Sequence, residues 1–239
     1  ELVPNQGDAW QFMLEECDRI FDNLKTKKIN IGKLPTVELF QRLKLNEVPH
    51  EIIDWAGLSI FVRIQTLATR TAEMHIALGS DIYETAFTPT TYNGDYTVWL
   101  KNRLTYQFQN RLNILENNLH KLDGLALELA NQFLDNKKAI RKLFLNFDWT
   151  KMKSERIRIH GDYHLGQVLV NGDDFWLLDF EGEPESTIRD GKVKQPPLKD
   201  VAGMFRSFHY AIYATLFNNR DKYPYEQAEL FQAGEVLFR

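Results

Sequence analysis

His160, Asp162, His164, Gln167, Asp179 and Glu181 lie within the stretch RIHGDYHLGQVLVNGDDFWLLDFEGEP, residues 158–184. These are the residue types that bind cations and move protons. Gln167 follows Asp162 by five residues and Asp179 follows it by seventeen. Carboxylate and amide oxygens suit a hard cation such as Mg²⁺. A carboxylate left off the metal is a candidate general base. The two histidines, with Asp162 between them, spell H-x-D-x-H, which as a ligand set suits a transition metal such as Zn²⁺ instead.

The spacing of apolar residues says what must hold these groups. RIRI, 156–159, reads as a short strand and HGDYHLGQ as a loop, in which Gly161 permits close backbone approach. VLV and FWLLDFE read as strands joined by NGDD, whose Asn-Gly pair is a hairpin signal. A hairpin brings its two ends together. Asp162, Gln167, Asp179 and Glu181 are therefore expected around one small space, with Asp173 and Asp174 away from it at the turn.

The rest of the chain reads as helix. Asp8 is placed to cap a helix whose Trp10, Met13, Leu14, Cys17, Ile20, Phe21 and Leu24 share a face. Residues 25–57 are interrupted by Gly and Pro. A second helix covers 61–78, with Ile64, Leu67, Ala68, Thr71, Met74, His75 and Leu78 on one side and His75 read as a hydrogen-bonded core residue. Residues 97–145 are charged and helical, as two helices meeting near 122–124. Asp200 opens another strongly apolar helix. The expected fold class is mainly α with a small β-hairpin patch.

The 239 residues make one large domain or two small ones. A net charge of −4 gives no sign of a nucleic-acid footprint. A single cysteine, Cys17, excludes a disulfide framework, fits a reducing, cytoplasmic setting, and reads as a packing residue. No apolar run is long enough to span a membrane. The chain opens at ELVPNQ without Met and stops inside a helical pattern, so a piece of a longer protein is expected.

Phosphoryl transfer needs the division of labour that this spacing offers. A loop Asp accepts the proton of the attacking hydroxyl, while an amide and a carboxylate hold Mg²⁺ on the β- and γ-phosphates. In protein kinases these are the Asp of H-R-D, the Asn that follows it and the Asp of D-F-G. Asp162, Gln167 and Asp179 occur in that order. Two other classes stay open on the residues alone: a metal-dependent phosphohydrolase using H-x-D-x-H, and a non-catalytic kinase-like binding module. Glu183 and Arg206 are candidates for contacts near the site, and the charged run RDGKVKQ, 189–195, reads as surface or substrate loop.

HGDYHLGQVL, DFEGEP and KQPPLKDVAGMFRSFHYA together resemble the bacterial maltokinases, often fused to trehalose synthase and related to aminoglycoside phosphotransferases and eukaryotic-like kinases. VPNQGDAW and TAEMHIAL resemble the same family. The resemblance implies the C-terminal lobe of a protein-kinase-like fold over 1–239, with a hinge near 3–9, a catalytic loop at 158–167 and a metal-binding hairpin end at 177–184. It implies ATP and Mg²⁺ as cofactors and phosphorylation of maltose at the anomeric hydroxyl, feeding α-glucan metabolism. Asp162 is then the catalytic base, and Gln167 and Asp179 the Mg²⁺ ligands, with Glu181 a second acidic contact. Val3, Asn5 and Gln6 would meet the adenine. His160, His164 and Asp200 would support the catalytic loop. The N-terminal lobe of such kinases, with its phosphate-covering loop, has no counterpart in these residues. The fragment alone is expected to be inactive.

Overall fold

Asp8 ends an extended segment and starts the first helix: its carboxylate accepts the backbone N–H of Gln11 at 2.8 Å. The computed structural model describes residues 3–39, 41, 43–148, 151–152, 154–182 and 192–239. Among them run helices α1 (Ala9–Thr26), α2 (His50–Ala56), α3 (Leu58–Leu78), α4 (Gly94–Asn118), α5 (Gly124–Asp135), α6 (Lys137–Leu145), α7 (Leu198–Asn218) and α8 (Gln227–Phe238). The strands are β1 (Thr90–Thr91), β2 (Glu155–Arg156), β3 (Val168–Asn171) and β4 (Asp174–Leu177). No helix among the described residues is long and apolar enough to cross a membrane.

The chain forms two compact units, one of residues 1–89 with 157–239 and the other of 90–156. In the first, α1 turns Ala9, Met13, Cys17, Ile20, Phe21 and Leu24 inward at helical spacing. They join Trp55, Leu165, Val168, Ala211, Ile212 and Leu230 in one core. Each Leu, Ile, Val, Phe or Met among them contributes roughly 1.5–3 kcal/mol by leaving water. Trp55 is fully buried, and its ring N–H donates to the Ile20 carbonyl at 2.8 Å. On α3, Ile60, Leu67, Thr71 and Met74 are buried. Ile64 and Ala68, expected beside them, instead border an apolar cleft of about 270 Å³ and remain exposed.

In the second unit, Thr90 and Thr91 pair antiparallel with Arg156 and Glu155, which brings its entry and exit together. The expected two helices are three. Asn136 ends α5 and begins α6, at a residue type whose side chain competes for backbone hydrogen bonds. The expected strand over 156–159 is shorter: β2 ends at Arg156, and Ile157, which belongs to the first unit, makes an isolated bridge to Gln195 there.

Candidate active site

Four residue pairs set the hairpin: Val168 with Leu177, Leu169 with Trp176, Val170 with Phe175 and Asn171 with Asp174. Val168, Val170 and Phe175 are buried in the core. The tight turn needs Gly172, at φ 61°. Arg63 reaches the Gly172 carbonyl at 2.8 Å, and Arg70 donates two hydrogen bonds to the Asp174 carboxylate at 2.7 and 2.8 Å. The Arg70 hydrogen bonds hold the Asp174 carboxyl below its usual range. The turn acids thus fasten the hairpin to α3, away from its other end.

That other end carries Gln167 and Asp179. β4 stops at Leu177 rather than running to Glu181. Leu178 N–H donates to the Gln167 carbonyl at 2.9 Å, and Asp179 then adopts a left-handed φ of 59°. Asp tolerates that conformation better than most residues. The turn brings Asp179 Oδ2 to the Gln167 side-chain amide, which donates to it at 3.0 Å.

The loop holding Asp162 is bound along one face of α7. The Asp200 carboxyl, 1% exposed, accepts the backbone N–H groups of His160 and Gly161, both at 2.9 Å. His75 Nε2 donates to the same carboxyl at 2.9 Å. One turn further along α7, a side chain at Gly203 would put its Cβ 2.7 Å from the Tyr163 carbonyl oxygen, so only glycine lets the loop pack there. One turn beyond that, Ser207 Oγ accepts the Leu165 N–H at 3.0 Å. Tyr163 is buried, its hydroxyl 2.7 Å from Thr71 Oγ1, and burial pushes its phenol up to about 12.

His160 joins loop to hairpin. Its ring is buried, and Nε2 lies 2.7 Å from the Leu178 carbonyl, so Nε2 is the donor. Asp162 and Asp179 therefore stand on one hydrogen-bonded frame. The Asp162 side chain is 34% exposed and makes no hydrogen bond among the described residues, which leaves its oxygens open to a substrate.

The structure brings the Gln167 and Asp179 side chains together. Glu181 is exposed and has no hydrogen-bond or ion-pair partner among the described residues. Glu183 and residues 189–191 of RDGKVKQ lie outside the described residues. Lys194, from that run, donates to the carbonyls of Thr85 and Thr88. Arg206 donates to Tyr210 Oη at 2.9 Å rather than to an acid. Near the expected hinge, the Asn5 side chain closes a turn on Val3 and Gly7, and Gln6 binds the hairpin through Val170 and Gly172. Those two side chains are thus engaged within the protein.

The H-x-D-x-H reading is not supported by this geometry. His160 is turned into the core, and His164 Nδ1 accepts the Gly166 N–H at 3.1 Å. Among the described residues no three His, Cys, Asp or Glu side chains gather to hold a metal on their own. The Gln167–Asp179 pair fits a different ion. Two neighbouring side chains with hard oxygens suit Mg²⁺ when phosphates and water complete the shell. Sequence reading placed Thr71 on the inner face of its helix but not its contact with Tyr163, and missed Gly203 and Ser207. Asp200, Gly203 and Ser207 recur on one helical face, and small residues on such an apolar helix are the available signal.

No family model matches the chain. Over 110 residues, 44% of the chain and 40% of the relative, it is 33% identical to a tRNA (guanine-N(7)-)-methyltransferase of Ureaplasma urealyticum serovar 10. Over 68 residues, 28% of the chain and 16% of the relative, it is 32% identical to a glucosamine kinase of Streptacidiphilus jiangxiensis. Glucosamine kinase structures match 98–99% of the chain at 19% identity, with TM-scores of 0.60–0.62. One of them contains glucosamine, ADP and inorganic phosphate. The chain spans about half the length of these structures, 44–48%. It shares the fold of that part of a sugar kinase. These structures are of glucosamine kinase, so the fold match does not single out maltose.

Proposed function

We propose that the chain is the phosphoryl-transfer part of an ATP-dependent sugar kinase, corresponding to the C-terminal lobe of a kinase-like fold. The observation that carries this reading is the single frame on which Asp162 stands open and Gln167 lies 3.0 Å from Asp179. Asp162 accepts the proton of a sugar hydroxyl as its oxygen attacks the γ-phosphorus of ATP. The new O–P bond forms as the bond to the β–γ bridging oxygen breaks, and ADP leaves with that electron pair. Asp179 and Gln167 would hold Mg²⁺, whose charge offsets that of the β- and γ-phosphates. Main-chain groups near Val3, Asn5 and Gln6 meet the adenine.

The acceptor follows from two different supports. The sequence resemblance favours the anomeric hydroxyl of maltose. The shared fold favours a monosaccharide such as glucosamine, which one matched structure contains. The test supplies the full-length protein with ATP and Mg²⁺, and with maltose or glucosamine in separate reactions, and follows ADP release. Sugar-dependent ADP formation with either acceptor is the expected result. ADP release at the same rate with and without each sugar in the panel overturns the reading.

A further inference from the structure

His164 does two things with one ring. Its Nδ1 accepts the Gly166 N–H at 3.1 Å and caps the short turn Leu165–Gln167. An imidazole nitrogen can accept only through a bare lone pair, so the ring proton sits on the other nitrogen, Nε2. That nitrogen is 3.9 Å from Asp162 Oδ2. The gap is too long for a hydrogen bond. It is short enough to close by rotation of the Asp162 side chain, which has no other partner among the described residues. Catalytic hydrogen bonds are often long before substrate is bound.

Gly166 shows that the ring is placed rather than merely near. A Cβ there would lie 3.0 Å from His164 Cε1 and 3.1 Å from Nδ1. The backbone therefore makes room for this ring orientation while supplying the N–H that fixes its tautomer. The capped turn ends at Gln167, so the same ring also links the Asp162 loop to the Gln167–Asp179 pair.

We propose that His164 is a positioning residue for Asp162: its Nε2–H holds one carboxylate oxygen and directs the other to the sugar hydroxyl. The proposal rests on the sugar-kinase reading above. Without the ring, the Asp162 carboxylate samples several rotamers and spends less time in line for the proton. A misplacement of about 1 Å can cost roughly a hundredfold in rate.

The test compares His164→Ala, His164→Asn and His164→Gln in the full-length protein. Asn can replace Nδ1 as acceptor for Gly166 but has no donor at the Nε2 position. Gln can place a donor near the Nε2 position but does not reproduce the cap. The proposal predicts a kcat drop of about 10–100-fold for the Ala and Asn variants, with KM for ATP and sugar within about threefold, and substantial recovery in Gln. Recovery in Asn but not Gln, or an Ala variant within twofold of wild type, overturns it. A second readout is independent of turnover. The ¹⁵N shifts of His164 should show the Nε2–H tautomer, and its Hε2 signal should move in Asp162→Ala. An Nδ1–H tautomer, or an unmoved signal, overturns the proposal. A wild-type protein without sugar-dependent turnover defeats the kinase reading instead and leaves the ring geometry to be judged by these shifts.

Discussion

The carboxyl group of Asp200 receives the backbone N–H of His160 at 2.9 Å, across 40 residues of chain. It takes the N–H of Gly161 on its other oxygen. The loop that carries Asp162 is thereby pinned to the first turn of α7, two residues before the candidate base. His75, on α3, completes the set of donors.

Asp200→Asn should therefore cost both stability and activity. The amide keeps one acceptor oxygen and presents an NH₂ to donors already in place. Buried hydrogen bonds to a charged group contribute about 1.5–3 kcal/mol each, and strained or unpaired donors add to the loss. A loss of about 3 kcal/mol in urea unfolding is expected. A loss below about 1 kcal/mol would show that the loop holds itself.

Gly203→Ala separates loop packing from helix propensity. Alanine favours a helix interior by about 1 kcal/mol over glycine. Its Cβ would sit 2.7 Å from the Tyr163 carbonyl oxygen. Overpacking of this kind costs about 1–3 kcal/mol. The variant should be less stable than wild type by thermal or urea unfolding. A more stable variant would mean that the loop moves freely away from α7.

Asp179→Asn tests the proposed metal pair without disturbing the backbone. Asn tolerates the left-handed φ of 59° as well as Asp does. Unfolding free energy should stay within about 0.5 kcal/mol of wild type. The Mg²⁺ concentration for half-maximal activity should rise at least tenfold, since a carboxylate ligand has been replaced by an amide. An unchanged Mg²⁺ dependence would remove Asp179 from the metal site.

Cys17 gives a pH dependence of known sign. Burial, and then the charge of Glu16, push its thiol from the usual 9.0 up to about 12. The folded state keeps the proton where the unfolded chain loses it. Its stabilising contribution is therefore complete below about pH 9 and is lost progressively between pH 9 and 12. The slope is at most about 1.4 kcal/mol per pH unit. Between pH 8 and 10, wild type should lose about 1 kcal/mol more than Cys17→Ala in urea unfolding. Equal losses would place the thiol in contact with water.

Much of the candidate site is local, which is why its frame was legible. Gln167 and Asp179 flank a hairpin whose turn is signalled by Asn171 and Gly172, and pairing brings their side chains together. The contacts that hold the loop were not legible in the same way. His75 reaches Asp200 across 125 residues, and Thr71 reaches Tyr163 across 92. Spacing within one segment carries no record of such encounters. The strand expected to run as far as Glu181 stops at Leu177, and the backbone turns at Asp179. The breakpoint between α5 and α6 depended on Asn136, a weak signal inside a long helical pattern.

The most direct measurement is sugar-dependent ADP formation by the full-length protein carrying Asp162→Asn, with urea unfolding run in parallel. Asn keeps the size of the side chain and removes its capacity to take a proton. General-base catalysis contributes about 10²–10⁴-fold. A kcat reduced by at least a hundredfold, at unchanged unfolding free energy, is the predicted result. Turnover within a few-fold of wild type would contradict Asp162 as the base of this site.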